Sequence, residues 1–158
     1  MTSMAQALPE AGRIAGIDYG TVRIGVAVTD PDRVLASPYE NYTRRNAKLD
    51  EDYFKRLAAE ARIVGFVVGL PVHTSGEESQ KSFEARQFGS WLHEITELPV
   101  VYFDERYTSS QAERFMIDAK MTRDKRKKRL DMLAAQIMLE AFIESGCRGQ
   151  SEPGAIDD

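Results

Sequence analysis

The sequence predicts a mixed α/β domain in which one sheet has helices packed on it. Residues 13–29 hold two apolar runs separated by a Gly-Thr turn, which is typical of an antiparallel hairpin. Residues 63–70 and 98–103 are unbroken apolar runs, which indicate strands buried on both faces. Helical periodicity before and between these runs makes strands and helices alternate. We therefore expect an antiparallel meander extended by two further, parallel strands.

The meander begins with the strand that ends at Asp18. The chain then turns at Gly20, since glycine adopts backbone conformations that other residues avoid. A carboxylate at the end of an apolar strand is costly to desolvate unless something pairs with it. The alternative is a turn-forming aspartate, because Asp beside Gly often bonds to its own backbone. Residues 34–42 supply a third, weaker strand, and Pro38 indicates an edge or a break in it.

Helices complete the predicted domain. The segments with apolar residues at helical spacing are 50–62, 78–96 and 128–145. Thr108 and Gln111 have capping-box spacing and open one more helix. Residues 12–146 are thus predicted to form the domain, preceded by a flexible arm over 1–11 and followed by a disordered acidic tail over 147–158.

Composition limits the class of protein. At 158 residues and 42% hydrophobic, the chain fits one domain with a substantial core. Its single cysteine, Cys147, excludes an internal disulfide and a thiolate-cluster metal site. Residues 1–9 lack the basic start and apolar run of a secretory signal, and no apolar stretch has membrane-spanning length. We expect a soluble, cytoplasmic protein.

Positive charge is concentrated in one segment although the net charge is −4. Residues 123–129 are almost all Lys or Arg, which favours phosphate binding, although a solvated helix entry would look the same. The predicted phosphate ligands of this run are Lys125, Arg126, Lys127 and Lys128. Arg23 and Arg106 lie within a few residues of candidate carboxylates, so each would contact phosphate or form a salt bridge.

Acidic residues are predicted to converge at one sheet edge, where open α/β sheets bind ligands beyond the carboxyl ends of their strands. Asp18 ends the first strand, and Asp104 and Glu105 end the last. Strand alternation lets only one of that pair face Asp18. Asp131 flanks the apolar face of the final helix, which would carry it toward Asp18, unless it is simply a solvated carboxylate near a helix start. Converging carboxylates repel one another unless a cation neutralises them. Carboxylate oxygens suit Mg²⁺ or Mn²⁺, and these ions can activate a water molecule for phosphodiester hydrolysis.

The sequence resembles the YqgF (RuvX) family of pre-16S rRNA nucleases, which are related to Holliday-junction resolvases and have the RNase H-like fold. The matching segments are Asp18-Tyr-Gly-Thr-Val-Arg-Ile-Gly25, Val67-Val-Gly-Leu-Pro71 with Gly76, Asp104-Glu-Arg-Tyr-Thr108 and Lys127-Lys-Arg-Leu-Asp131. The resemblance implies a metal-dependent nuclease with Asp18, Glu105 and Asp131 as its catalytic and metal-binding triad. It also favours Glu105 over Asp104. Val72-His73-Thr74-Ser75 departs from the family pattern, in which many relatives carry an Asn and a Met-Asp pair.

Alternatives remain at this point. Within the nuclease class, the substrate is structured RNA in a ribosomal precursor or branched DNA, and resolving a DNA junction requires a dimer rather than a monomer. The Asp-x-Gly-Thr hairpin also resembles the phosphate-binding hairpin of actin-like ATPases, although those proteins use two such domains. A third alternative is an RNA-binding assembly factor without catalysis.

Overall fold

The computed structural model describes residues 7–71, 79–105 and 123–147, with the backbone alone for 123–132. Its elements in chain order are β1 (Arg13–Asp18), β2 (Arg23–Thr29), β3 (Ala36–Thr43), α1 (Ala47–Glu60), β4 (Ile63–Leu70), α2 (Gln80–Thr96), β5 (Val100–Asp104) and α3 (Arg123–Glu144). The helix predicted to open at Thr108 and the loop over 72–76 lie outside the described residues.

The strands form one sheet in the order β3-β2-β1-β4-β5. Strand β2 is antiparallel to both β1 and β3, whereas β4 is parallel to β1 and β5 is parallel to β4. The predicted meander with two added parallel strands is confirmed. Strand β3 is an edge strand, and Pro38 pairs with Ala27 just after a register shift, where a missing N–H is tolerated.

Helices cover both faces of the sheet. On one face α1 and α2 pack against Ile17 and Phe66, and on the other face α3 packs against Ile14 and Val67. Because neighbouring strand residues point to opposite faces, the unbroken apolar run of β4 supplies both cores. This explains why β4 shows no alternation in its sequence.

Two elements begin elsewhere than the sequence predicts. Strand β3 begins at Ala36 because Asp30 Oδ1 accepts the N–H groups of Val34 and Leu35, at 2.9 and 2.8 Å, and holds them in the preceding loop. Helix α1 begins before residue 50, since Asn46 caps it by accepting the Leu49 N–H at 2.9 Å.

The start predicted for the last helix near Lys128 was also wrong. Helix α3 begins at Arg123, so the basic run occupies its first turns instead of preceding it. Lys and Arg are good helix formers, but they carry no apolar periodicity by which sequence reasoning could have placed them in the helix.

Both ends of the described chain pack against the sheet. Leu8, which lies in the predicted arm, and Cys147, which begins the predicted tail, contact the core beneath α3. Residues 1–6 and 148–158 lie outside the described ranges, so the rest of the arm and tail remains a prediction. Within those ranges no helix is long and apolar enough to cross a membrane.

Candidate active site

Asp18 and Glu105 meet at one edge of the sheet. Strands β1, β4 and β5 are parallel neighbours, so their carboxyl ends share this edge. Asp18 ends β1, and Glu105 directly follows β5. A side-chain hydrogen bond joins the two carboxyl groups across β4. Because ionised carboxylates only accept hydrogen bonds, this contact requires a proton on one of them.

Gly69 of β4 makes room for the Glu105 carboxyl group. A Cβ atom added to Gly69 would overlap Glu105 Oε2 and would lie 3.0 Å from Cγ and 3.1 Å from Cδ. Val67, two residues earlier in β4, packs beneath α3, so by strand alternation Gly69 opens toward the same side. The carboxyl pair therefore lies on the face of the sheet that α3 covers.

The surroundings of Glu105 oppose its ionisation. Burial, and after it the negative charge of Asp18, raises the pKa of Glu105 from its usual 4.5 to about 8. The hydrogen bond to Asp18 and the charge of Asp104 act in the same direction, whereas the positive charge of Lys81 lowers the pKa. At neutral pH the pair therefore holds one proton when no cation is bound.

Lys81 belongs to this site, although the sequence did not single it out. It lies in the first turn of α2, which begins near the carboxyl end of β4 and so reaches the same sheet edge as Asp18. In the sequence, Lys81 is marked only by its position near the start of the helix that follows β4. This position indicates a site residue only when the strand order places the end of β4 beside the end of β1.

A cavity of about 620 Å³, here called the Asp18 cavity, opens at this edge. Arg23, at the start of β2, and Lys81 both line it, so two cationic side chains accompany Asp18. The turn that forms one wall depends on Gly20, but for a different reason than predicted. Gly20 has no positive φ; instead a Cβ atom there would overlap the carbonyl oxygen of Arg23.

The other predicted site residues lie outside the described residues or side chains. These are Arg106, Lys125, Arg126, Lys127, Lys128 and Asp131. The backbone nevertheless places Asp131 in α3, one turn before Ala135. The carbonyl oxygen of Ala135 lies 3.3 Å from the Cβ position of Gly16, so α3 packs tightly on β1 two residues before Asp18.

Residues 12–145 match the RuvX family, described as Holliday junction resolvase. The chain belongs to the RuvX family. A relative from Rhodopirellula baltica is 48% identical over 151 residues, 96% of this chain and 87% of the relative. Another, from Rhodobacter capsulatus, is 38% identical over 144 residues, 91% of each chain. Both carry the name "Putative pre-16S rRNA nuclease".

The fold of this RuvX-family chain matches that of solved RuvC structures. The Thermus thermophilus RuvC structure in complex with a Holliday junction substrate has a TM-score of 0.55 at 14% identity, over 89% of this chain and 98% of that one. A second Thermus thermophilus RuvC structure has a TM-score of 0.54 at 12% identity. The predicted RNase H-like fold is confirmed.

Among the described side chains, no group of three or more His, Cys, Asp or Glu residues is placed to hold a metal ion. Asp18 and Glu105 are the two members of the predicted triad whose side chains are described, and the structure brings them together. Asp104, the alternative to Glu105, is a buried residue of β5.

The raised pKa of Glu105 predicts that this RuvX-family protein loses stability as pH rises. Between about pH 4.5 and pH 8 the folded chain keeps a proton that the unfolded chain releases. The free energy of unfolding therefore falls by up to about 1.4 kcal/mol per pH unit in this interval. Glu105→Gln removes the titrating carboxyl group. The free energy of unfolding of this variant, relative to that of wild type, should therefore rise with pH through the interval and stay constant above it.

Urea denaturation in chelator-containing buffer across this pH interval measures the effect. Glu94→Gln, which changes an exposed carboxylate of α2, is the matched control and should follow the wild-type curve. Wild-type and Glu105→Gln curves that stay parallel over the interval would contradict the assignment of the shared proton to this pair.

Proposed function

We propose that this chain is a divalent-metal-dependent endonuclease that cleaves phosphodiester bonds at the 5′ end of precursor 16S rRNA in the cytoplasm. The observation that carries the proposal is the hydrogen-bonded pair of Asp18 and Glu105 at the carboxyl ends of parallel strands. Open α/β sheets bind their ligands at such an edge. Membership of the RuvX family and the names of the relatives support the same activity.

The carboxyl pair has the chemistry of a site for Mg²⁺ or Mn²⁺. Its donors are carboxylate oxygens, which these hard cations prefer. The proton held between the two carboxyl groups lies where a cation would bind. With both carboxylates ionised, a bound divalent cation would supply the positive charge that offsets their mutual repulsion. When bound, the ion supplies Lewis-acid stabilisation of the phosphate and lowers the pKa of a water molecule.

Asp131 is the proposed third ligand. Its helix packs on the face of the sheet on which the carboxyl pair lies. A third carboxylate raises the negative charge of the site, which favours a divalent cation over a single proton. In this arrangement Asp18, Glu105 and Asp131 would hold the metal ion, and the ion would supply positive charge to the scissile phosphate.

The basic residues are proposed to bind the phosphate backbone of the substrate. Arg23 and Lys81 line the Asp18 cavity and would neutralise the phosphate next to the scissile bond. Arg106 and the basic run Lys125, Arg126, Lys127 and Lys128 would contact phosphates farther along the strand. The nucleic acid is thus positioned by its backbone before the carboxylates act on it.

Branched DNA is the second candidate substrate. It is favoured by the description of the matched family, Holliday junction resolvase. Resolution of a four-way junction needs two cuts and hence two active sites, which a homodimer with two-fold symmetry would provide, whereas trimming of rRNA needs only a monomer.

The test incubates the purified chain with a precursor 16S rRNA fragment and with a four-way DNA junction, each with Mn²⁺, with Mg²⁺ and with chelator. We expect specific cleavage of the rRNA fragment with either ion and none with chelator. Preferential cleavage of the junction would select the second substrate. Cleavage that resists the chelator would contradict the metal site. If the chain binds either substrate but cleaves neither under any condition, it is a nucleic-acid-binding module without catalysis.

A further inference from the structure

A second cavity, of about 690 Å³, lies beside the Asp18 cavity and is here called the Trp91 cavity. Tyr19, Phe88 and Trp91 supply aromatic rings to its lining, and Arg44 and Arg45 supply positive charge. Its volume lies within the range of about 300–1,000 Å³ that is common for small-ligand sites. Neither Asp18 nor Glu105, the proposed metal ligands whose side chains are described, lines it.

The aromatic rings of the Trp91 cavity form one continuous cluster. The ring centroids of Phe88 and Trp91 are 5.3 Å apart, and those of Tyr19 and Phe88 are 5.4 Å apart. Phe88 is buried in the core, whereas Tyr19 and Trp91 are half-buried at its edge. The rings are thus anchored from below and leave part of their surface to the cavity.

Arg44 is held in place over these rings. Its guanidinium carbon lies 5.4 Å from the centroid of Tyr19 and 5.9 Å from that of Phe88. It donates a hydrogen bond of 3.1 Å to the Tyr19 hydroxyl and forms an ion pair of 3.6 Å with Asp50. Asp50 is itself fixed, since it accepts a 2.7 Å hydrogen bond from the buried Tyr42 hydroxyl. The cavity therefore needs little reorganisation to bind a ligand.

The two cavities lie next to each other at the turn between β1 and β2. Tyr19, Thr21 and Val22 line both of them, and Asp18 lies on the other side of this turn from the aromatic cluster. Val22 is 62% exposed on top of the turn. A polymer whose phosphate lies in the Asp18 cavity would therefore reach the Trp91 cavity with its adjacent unit.

We propose that the Trp91 cavity binds the unpaired base of the nucleotide next to the scissile phosphate, an inference that rests on the proposed nuclease function. Aromatic rings and guanidinium groups stack on the faces of unpaired bases, whereas a base inside a duplex has both faces covered by its neighbours. Arg45, exposed at the rim, adds positive charge for the phosphate that follows. The enzyme is accordingly selective for single-stranded segments.

Trp91 reports on this site directly because it is the single tryptophan of the chain. The wild-type protein in chelator-containing buffer is titrated with a short single-stranded RNA and with the same RNA annealed to its complement. We expect the single strand to quench the Trp91 fluorescence strongly and the duplex to leave it nearly unchanged. Equal quenching by both, or binding without quenching, would overturn the inference.

A variant pair provides the second measurement. Trp91→Ala should weaken binding of a dye-labelled single strand at least about fivefold, as expected for loss of one stacked base, and Trp91→Phe should largely restore it. Phe83→Ala removes an aromatic residue of the same helix that is 49% exposed, and it should have no effect. Equal affinity of Trp91→Ala and wild type would contradict the proposal.

The outcomes separate this inference from the proposed function. Cleavage that depends on metal ion but comes without quenching removes the base site and leaves the nuclease. Quenching by single strands without cleavage supports the base site and removes the nuclease. Absence of binding to any nucleic acid would overturn both.

Discussion

We expect Asp18→Asn to abolish cleavage while the protein stays folded. Asparagine keeps the shape of the side chain and can still hydrogen-bond to Glu105, but it removes the negative charge that a divalent cation needs. Loss of residues that only orient metal ligands costs about 10–100-fold, so loss of a ligand should lower the cleavage rate by at least about 100-fold. Single-turnover cleavage of a precursor rRNA fragment with saturating Mn²⁺ measures this effect.

Stability distinguishes this result from simple unfolding. Removing the charge of Asp18 removes the electrostatic repulsion that disfavours ionised Glu105, so the melting temperature of Asp18→Asn in metal-free buffer should equal or exceed that of wild type. Asp52→Asn is the control, because Asp52 is an exposed residue of α1 paired only with Lys48, among the described ion pairs. Full activity of Asp18→Asn would exclude Asp18 from the mechanism.

The fold was predictable wherever the apolar pattern was strong. The run over β4 predicted that strand with the bounds that the structure shows, because burial on both faces leaves every residue apolar. The starts of β3 and α1 were not predictable in this way. They depend on hydrogen bonds that backbone N–H groups donate to the side chains of Asp30 and Asn46, and such bonds leave no trace in hydrophobic periodicity.

The candidate site was predictable only in part, and for a related reason. The predicted parallel strands bring the ends of β1 and β5 to one edge, so Asp18 could be paired from the sequence with either Asp104 or Glu105, and the family resemblance favoured Glu105. Lys81 could not, because the direction of a side chain in the first turn of α2 depends on how that helix packs. The third predicted ligand, Asp131, stays a prediction that rests on the position of its helix.

Gly69 is the residue whose role was least visible in the sequence. In the sequence, Gly69 is one of two glycines in an apolar strand, and nothing distinguishes it from the other. Glycine inside a strand often marks a position that another group approaches closely. Here the approaching group is the carboxyl of Glu105, which comes from the neighbouring strand end. This contact could be found only after the register between β4 and β5 was known.

We expect Gly69→Ala to lower the cleavage rate by about 100-fold with little loss of stability. The added Cβ would overlap Glu105 Oε2, so the carboxyl group must leave the position in which it is paired with Asp18 and is proposed to bind the metal ion. A displacement of about 1 Å of a reacting or ligand group can cost about 100-fold in rate. Stability should change little, because the group that yields is the end of a flexible side chain.

Gly65→Ala is the matched control, since Gly65 lies in the same strand and opens toward the same face. A Cβ atom there meets the side chain of Leu8 and lies 3.3 Å from the carbonyl oxygen of Pro99, away from the carboxyl pair. Single-turnover cleavage and thermal melting of both variants test the argument. If Gly69→Ala cleaves as fast as Gly65→Ala, then the position of the Glu105 carboxyl group over β4 does not determine activity, and Glu105 is not a metal ligand.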